Sequence, residues 1–490
     1  MISGILSWMI FLPLIGVLVV LLLPKDNHRA IRWATVLFTL LPLILSFFLL
    51  AGYDSSTAAF QFQEKATWIP ALNVNYHLGV DGISVPMLFL TALLSFLSAI
   101  ISFNIVKRVK EYFAFFLLLE VGMMGVFAAL DFFLFYVFWE IMLVPMYFLI
   151  GIWGGPRKEY AAIKFFLYTL FGSIFMLVAI LALYFTSTPH TLSIIEHIQR
   201  APQVAYGFQI FAFVFFFIAF AIKIPTLPFH TWLPDAHVEA PTAVSVLLAA
   251  ILLKMGTYGL LRISFPIFPE ATKFFSWPMA ILGVVGIIYG ALVCMAQTDL
   301  KKLVAYSSVS HMGFCLLGMA AVGSVAGISG CVFQMVSHGL ITGALFMLVG
   351  VIYDRTHNRE IDAYGGMWLK VPVYSGIMIL FVLGSLGLPG LSGFISEFMV
   401  FLGAFPYFNV TVAIGVIGVL LTAAYFLRMI QRMFLGPVAG HTEALTEINK
   451  REIFAVLPLA ILMIWIGVYP SLLTGYIKAT IENLVRVIGA

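Results

Sequence analysis

The feature that most constrains this chain is a series of apolar segments, each about 20 residues long and nearly free of charged residues. A helix of this length crosses the hydrocarbon core of a bilayer. Only 10% of the 490 residues are charged, whereas soluble proteins carry about 25%, so a polar shell cannot enclose the apolar surface. In lipid, every backbone polar group needs an internal partner, which leaves helices or closed barrels. Because the segments are continuous rather than alternating, they predict an all-α polytopic membrane protein.

Apolar windows predict fourteen transmembrane helices, with no polar linker that separates domains. The chain begins with an apolar segment and lacks the basic leader of a signal peptide, so we expect the first helix to be retained. Most Lys and Arg residues outside the segments follow odd-numbered helices, which predicts a bacterial inner-membrane protein with both termini outside. The predicted segments are 4–23, 30–50, 82–104, 112–130, 132–151, 160–185, 209–229, 240–262, 275–297, 302–320, 324–352, 372–402, 409–434 and 453–474.

Two predicted helices are interrupted by proline or glycine at matching places. The seventh contains Pro225 and Pro228, and the twelfth contains Gly387, Pro389 and Gly390. Their spacing of five helices reverses the orientation in the membrane, which predicts two inverted five-helix repeats, each with one broken helix. Two ordinary proline kinks are the alternative, because membrane helices tolerate proline. The predicted organisation is 1–111 for helices 1–3, 112–262 for the first repeat, 263–434 for the second repeat, and 435–490 for helix 14 and a C-terminal tail.

Charged residues inside predicted spans need a reason, because a charge at mid-bilayer costs at least about 2.5–3.5 kcal/mol. Counting Lys and Arg leaves three inside: Lys164, Lys223 and Lys254. Glu140 lies in the middle of the fifth segment, and Lys223 directly precedes the break in the seventh. These two residues are predicted to form an ion pair whose opening releases a proton. The alternative is a static pair that locks the two helices together.

Four more residues are candidates for a proton path. Lys254 lies too deep in the eighth segment to reach the surface easily, and Glu397 follows the second break by two turns. His311 and His338 titrate near neutrality and could relay protons between them. Alternatively, each histidine is neutral and bonded to nearby serine hydroxyls. Two weaker candidates, a lysine near a helix end and a second buried acid, are Lys164 and Glu120.

The sequence lacks the motifs of redox, nucleotide or metal chemistry. Three cysteines lie in apolar segments without a CxxC pair, which argues against an iron–sulfur cluster. No glycine-rich dinucleotide or phosphate motif occurs, and the net charge of +4 needs no nucleic-acid partner. His230 and His237 lack a third close ligand, so we expect a hydrogen-bonded loop, or the outer mouth of a path, rather than a metal site.

Six long blocks follow one another along nearly the whole chain: LGVDGISVPMLFLTALL, FFLFYVFWEIMLVPMYFLIGIWGG, HTWLPDAHVEAPTAVSVLLAAILLKMG, DLKKLVAYSSVSHMGF, QMVSHGLITGALFMLVGVIYDRTH and GLPGLSGFISEF. In content and order these blocks resemble the antiporter-like membrane subunits of NADH:quinone oxidoreductase, respiratory complex I. The resemblance implies fourteen core helices, two inverted five-helix repeats and both termini outside.

The resemblance also implies roles for individual residues. Glu397 resembles an acid characteristic of the type called subunit M in bacteria and subunit 4 in mitochondria, where the related subunit L and sodium/proton antiporter proteins usually carry lysine. Subunit L also has a long C-terminal lateral helix, and we expect no length for one after residue 474. The residues implied in proton transfer are Glu140 and Lys223 as an ion pair, Lys254 as the central lysine, His311 and His338 as relays, and Glu397.

The function implied by the resemblance is that of a proton-translocating, non-redox subunit, which couples electron transfer from NADH to quinone to proton pumping. Flavin, iron–sulfur clusters and quinone are then expected in other subunits, with no cofactor in this chain. The implied partners are antiporter-like neighbours on both sides, the lipid bilayer and protons. The alternatives are a subunit of a multisubunit sodium/proton antiporter and a membrane subunit of a hydrogenase-type complex.

Overall fold

The computed structural model describes residues 4–489. Its helices in the first half of the chain are α1 (Ile5–Leu22), α2 (His28–Gly52), α3 (Ser84–Ile101), α4 (Val109–Ala128), α5 (Phe132–Trp153), α6 (Lys158–Thr186), α7 (Ile194–Arg200), α8 (Tyr206–Lys223) and α9 (Trp232–Glu239). The second half contains α10 (Thr242–Ile267), α11 (Pro269–Met295), α12 (Leu300–Ala320), α13 (Val325–Thr356), α14 (Pro372–Ser385), α15 (Ser392–Ala404), α16 (Asn409–Met433), α17 (Lys450–Val468) and α18 (Ser471–Ile488).

Thirteen of the helices within residues 4–489 are long and apolar enough to cross a membrane. The two shorter apolar helices α14 and α15 follow each other and together make the remaining predicted crossing. Helices α10, α12 and α13 are buried over almost their whole length, whereas α1, α2 and α16 expose large apolar side chains on their outer faces. The prediction of a polytopic helical membrane protein is confirmed.

An antiparallel hairpin of β1 (Gln61–Ile69) and β2 (Val74–Val80) lies at one end of the bundle, here called the hairpin side. The hairpin occupies the longest polar stretch of the sequence. The sequence predicts helical segments on both sides of this stretch, and no hairpin within it. One isolated bridge pairs Leu78 of the hairpin with Ala129, in the turn before α5, and another pairs Asp131 of the same turn with Ser193. Three loops therefore meet at this end. Two further short strands, β3 (Tyr364–Gly365) and β4 (Ala439–Gly440), pair elsewhere.

Asp131 shows how the loops at the hairpin side position a membrane helix. Its carboxylate accepts hydrogen bonds from the backbone N–H groups of Phe133 and Leu134 at the first turn of α5, and from Asn75 of the hairpin. Such a side chain satisfies amide groups that the first turn of a helix leaves free. Burial raises the pKa of Asp131 to about 6, against the opposing effect of these three hydrogen bonds.

The opposite end of the bundle, here called the basic side, carries the Lys- and Arg-rich loops. The backbone N–H of Gly155 donates to the Glu239 carbonyl at 2.9 Å, and the Lys301 ammonium donates to the Ala240 carbonyl at 2.6 Å. A bridge between residues 299 and 360 joins the loops before α12 and after α13. These contacts hold the end of α9 against α12 at this surface.

Both predicted interruptions of transmembrane helices are confirmed. Helix α8 ends at Lys223 and the chain turns through residues 224–231 before α9 continues. The indole N–H of Trp232 donates to the Ile222 carbonyl at 2.9 Å, which supplies a partner for a carbonyl near the break. In the second break, between α14 and α15, Gly387 has a φ of 81°, a left-handed conformation that suits glycine.

The last residues form a helix where only a tail is predicted. The fourteenth segment, predicted as 453–474, is α17 and ends at Val468; α18 then begins at Ser471. Its buried residues Leu473, Ile477 and Ile481 recur every four positions, while polar side chains lie on the other face. This amphipathic helix packs on the end of α10 and on α13 at the hairpin side, so the predicted tail is helical over Ser471–Ile488.

Candidate functional site

Lys254 lies near the middle of α10 and is fully buried. The five residues Leu248–Leu252 just before it form a turn of π-helix, a local widening that is common at functional sites. The Lys254 ammonium donates to the carbonyl of Ala249 at 2.8 Å, and its Nζ lies 2.5 Å from Nδ1 of His338 on α13. The predicted lysine and the predicted histidine are therefore in direct contact.

The contacts continue from His338 to a second histidine and an acid. The ring centroids of His338 and His311 lie 5.6 Å apart. On the other side of the His311 ring, Nδ1 is 3.3 Å from a carboxylate oxygen of Glu397, and Nε2 is 3.0 Å from the hydroxyl oxygen of Ser385. Four predicted residues from α10, α12, α13 and α15 thus form one buried line, here called the central line: Lys254, His338, His311 and Glu397.

A cavity of about 10 Å³ lies between the two histidines and Glu397. It is lined by polar groups, among them Gln334 and Ser337, and a space of this size holds about one water molecule. A single water with these neighbours can connect groups that do not touch directly. The central line therefore consists of two direct contacts, Lys254 with His338 and His311 with Glu397. A gap of the size of one water molecule separates the two histidines.

The second helix break places Glu397 against this line. A Cβ atom added to Gly393 would lie 2.0 Å from the carbonyl oxygen of Gly384, so α15 can approach the end of α14 only because residue 393 is glycine. A Cβ at Gly387 would lie 3.2 Å from Glu397 Oε2. The break therefore brings the backbone at Gly387 close to the Glu397 carboxylate, and this carboxylate faces His311.

Glu140 and Lys223 do not form the predicted contact ion pair. Among the described residues, neither the Lys223 ammonium nor Oε1 of Glu140 has a hydrogen-bond partner, and no ion pair joins them. The ammonium lies 5.3 Å from the ring centre of Trp139 and 5.5 Å from that of Phe165, so aromatic faces replace the carboxylate. Glu140 is only partly buried, because it lies toward the lateral surface of the bundle.

The weaker candidates lie away from the central line. Lys164 donates to a carboxylate oxygen of Asp235 on α9 at 2.7 Å, and Arg157 contacts the other oxygen at 3.5 Å. Lys164 thus ties α6 to the second half of the broken helix near the basic side. Glu120 is completely buried in α4, and within residues 4–489 neither of its carboxylate oxygens has a hydrogen-bond partner.

Comparisons with known proteins identify the family and the fold. The family described as NADH:quinone oxidoreductase/Mrp antiporter, TM matches residues 129–422. NADH-quinone oxidoreductase subunit M of Rickettsia conorii is 42% identical over 487 residues, 98% of each chain. A chain of respiratory complex I from Thermus thermophilus is 29% identical with a TM-score of 0.91, over 99% of this chain and 100% of that one.

The chain belongs to the antiporter-like membrane subunits of NADH:quinone oxidoreductase. The fold is also shared with a chain of the Mrp complex from Dietzia, which is 20% identical with a TM-score of 0.87, over 99% of this chain and 100% of that one. At that identity the likeness concerns the fold alone.

In this antiporter-like subunit, the predicted loop with His230 and His237 is mostly helical. His237 lies in α9, fully buried and stacked on Phe346 with ring centroids 4.8 Å apart. His230 Nε2 lies 3.2 Å from the Tyr289 hydroxyl oxygen. The segment joins the break to the basic side, and the contact of His230 agrees with the predicted hydrogen-bonded segment. Within the described residues, no three potential ligand side chains are grouped for a metal ion.

Sequence reasoning missed several buried charges in this antiporter-like subunit, among them the pair of Arg262 and Asp81. Arg262 lies inside α10 and forms an ion pair with Asp81, at the start of α3. The predicted eighth segment ends at residue 262, which placed the arginine at the membrane surface. Its position four residues after Tyr258, within a continuing apolar run, is the signal that could have found it.

Proposed function

We infer that this chain is a proton-translocating, non-redox membrane subunit of NADH:quinone oxidoreductase. The observation that carries this proposal is the central line, in which four titratable side chains meet in the buried interior of the helical bundle. Ionisable groups inside a membrane are expensive and mark ion paths or proton relays. A purely structural subunit would gain nothing from a line of such groups that runs from one half of the bundle into the other.

The central line can pass a proton in a defined order. A proton on Lys254 has a ring nitrogen, Nδ1 of His338, in hydrogen-bond contact at 2.5 Å. The ring can then release a proton from its other nitrogen into the water-sized cavity that it shares with His311. From His311, Nδ1 faces Glu397 at 3.3 Å, which completes the transfer to the second broken helix.

Glu140 and Lys223 are placed to drive this transfer from the side. Lys223 is buried without an anionic contact, and Glu140 is only partly buried, so a charge in a neighbouring subunit can act on it. A charge change in that neighbour would move Glu140 toward or away from Lys223. In a medium of low dielectric constant, the resulting field alters the proton affinity of Lys254. The separated pair seen here is then one of two states.

The surroundings of the chain follow from the same proposal. Flavin, iron–sulfur clusters and quinone belong to other subunits. Antiporter-like subunits are the neighbours of this chain in the membrane. The positive-inside rule assigns the basic side to the cytoplasm and both termini to the outer side of a bacterial inner membrane. The two helix breaks support repeats at 112–262 and 263–434, which follow the three N-terminal helices of 1–111 and precede 435–490.

Sodium/proton antiport is the alternative function. The curated relative with 42% identity is an oxidoreductase subunit, whereas the likeness to the Mrp complex is limited to the fold. Glu397 also differs from the lysine that the antiporter proteins usually carry. Both features favour a place in the respiratory complex.

Replacement of Lys223 by Ala tests the proposal in the assembled complex. We expect NADH-driven proton pumping to fall to roughly a tenth or less, equivalent to a barrier raised by about 1.4 kcal/mol, with coupled NADH oxidation reduced as well. Glu140→Ala should act in the same direction. Lys25→Ala, at an exposed lysine, is the matched control. Near-normal pumping by an assembled Lys223→Ala complex would refute the proposed coupling.

A further inference from the structure

A buried charge cluster lies outside the central line, where α10 reaches the hairpin side. Arg262 forms an ion pair with Asp81, and the two side chains are only 7% and 2% exposed. The Asp81 carboxylate also accepts hydrogen bonds from the backbone N–H groups of Ile83 and Ser84, each at 3.1 Å. The pair is therefore anchored to α10 on one side and to the start of α3 on the other.

Tyr258 lies between this ion pair and Lys254 on the same helix. Its hydroxyl donates to the Phe127 carbonyl at 3.0 Å, lies 2.9 Å from the Ser84 hydroxyl oxygen, and accepts from Nε of Arg262 at 3.4 Å. The Nε edge of the guanidinium therefore faces the interior, and its Nη2 atom contacts the carboxylate partner. A proton that leaves Lys254 in this direction meets the positive end of the ion pair first.

The C-terminal helix α18 covers the outer face of the cluster. The Thr480 hydroxyl oxygen accepts from the backbone N–H of Gly82 at 3.0 Å. A Cβ at Gly82 would lie 2.3 Å from the Tyr476 carbonyl oxygen, so this close approach requires glycine. The ring centre of Phe60 lies 4.7 Å from the Arg262 guanidinium carbon. A cavity of about 90 Å³, lined by the ion pair and by α18, adjoins the cluster at the hairpin side.

We propose that Arg262 is an electrostatic seal, which prevents protons on Lys254 from leaving toward the hairpin side. A guanidinium stays protonated in proteins, so it neither accepts nor passes a proton. Fixed arginine charges exclude protons from other membrane pores by the same repulsion. Asp81 offsets the cost of burying the charge and, with α18, holds it in place. The seal rests on the proposed role of Lys254 as a proton carrier.

The seal gives the central line a direction. From Lys254, one way leads past Tyr258 to the hairpin side and the other leads through His338 to Glu397. If the first way conducted, protons would cross the membrane passively and dissipate the gradient that the complex builds. Arg262 lies about 12 Å along the helix from Lys254, two turns away, which places the barrier between the carrier and the surface.

The test measures passive proton flow through the whole complex without NADH. The complex is reconstituted in liposomes that contain a pH-sensitive dye, and a potassium gradient with valinomycin drives protons inward. Arg262→Gln combined with Asp81→Asn removes both charges and keeps hydrogen-bonding groups. We expect its initial proton influx, per assembled complex, to be at least about fivefold faster than that of the wild type.

Two further variants separate the seal from a structural role of the pair. Arg262→Lys keeps a positive charge beside Asp81 but can release its proton when buried, so its rate should lie between those of the wild type and the double variant. Lys254→Met, added to the double variant, should return the influx to the wild-type rate because the leak passes through Lys254. An unchanged rate in the double variant would overturn the seal, as would a faster rate that persists with Lys254→Met.

Assembly and the proposed function are controlled separately. If the double variant does not assemble, Arg262→Met with Asp81→Leu replaces the pair by apolar side chains and is read in the same way. NADH-driven pumping is measured in parallel for Lys254→Met alone. Normal pumping in that variant would refute the proposed function, whereas lost pumping without any leak in the double variant would overturn only the seal.

Discussion

Four titratable side chains from four helices share one buried line, and each stands beside a group that lowers the cost of its charge. The Lys254 ammonium has the Ala249 carbonyl and a ring nitrogen of His338 within hydrogen-bond distance. His311 lies between the Ser385 hydroxyl and a carboxylate. Buried charges persist when they are paired or hydrogen-bonded. Here the same contacts that allow burial also form the proposed proton route.

His338→Gln tests the direct contact with Lys254. The glutamine amide can hydrogen-bond to the ammonium, but it cannot accept and release a proton near neutral pH. We expect the complex to assemble and NADH-driven pumping to fall to roughly a tenth or less. His28→Gln, at an exposed histidine, is the control. Proton uptake within twofold of the wild type in His338→Gln would exclude His338 from the path.

At the scale of elements, interrupted helices make the site possible. The π turn before Lys254 widens α10 next to the ammonium, the first break ends α8 at Lys223, and the second break brings α15 against α14. Regular helices would occupy these places with apolar side chains and fully paired backbone groups. The interruptions bring charged groups and free carbonyl groups into the interior of a bundle that is otherwise apolar.

Gly393→Ala should disturb the second break. The new methyl group would clash with the Gly384 carbonyl, at a cost of about 1–3 kcal/mol, and would displace α15 together with Glu397. We expect the complex to lose coupled activity at a lower temperature and to pump less. Gly376→Ala on α14, where nothing lies within 4 Å of an added Cβ, is the matched control and should be neutral or slightly stabilising. Equal thermal inactivation of both variants would contradict the assigned close approach.

On the scale of the whole molecule, the central line crosses from α10, at the end of the first predicted repeat, to α15 in the second predicted repeat. Neither predicted repeat contains the line alone, because Lys254 and His338 are 84 residues apart in sequence. The fold also separates the two surfaces, with the hairpin and α18 at one end and the basic loops at the other. The central line therefore exists only in the assembled bundle.

Lys254→Met should separate these two activities in the intact complex. Pumping coupled to quinone reduction should fall to roughly a tenth or less, because the methionine side chain carries no proton. If the chain is non-redox as proposed, electron transfer from NADH to a water-soluble artificial acceptor should continue at a rate set by the amount of assembled complex. A parallel loss of both activities at full assembly would argue against a non-redox role.

Much of the fold and part of the site could be predicted because their signals are local. A continuous apolar run, a proline after Lys223 or a carboxylate at Glu397 each has meaning without knowledge of its neighbours. Contacts between helices are different, since they depend on crossing angles and on the side chains between them. The aromatic ring of Trp139 beside Lys223 is such a case, because the ammonium faces this ring and has no contact with the Glu140 carboxylate.

The sequence by itself determined that the chain spans a membrane as helices, where two of them break, and which buried groups can carry protons. These properties follow from the cost of placing polar groups in lipid, which each segment bears alone. Only the tertiary structure decided which groups meet: the contact of Lys254 with His338, the ion pair of Arg262 with Asp81, and the packing of α18 over that pair. Such choices depend on close packing between residues distant in sequence, for which no single segment holds the information.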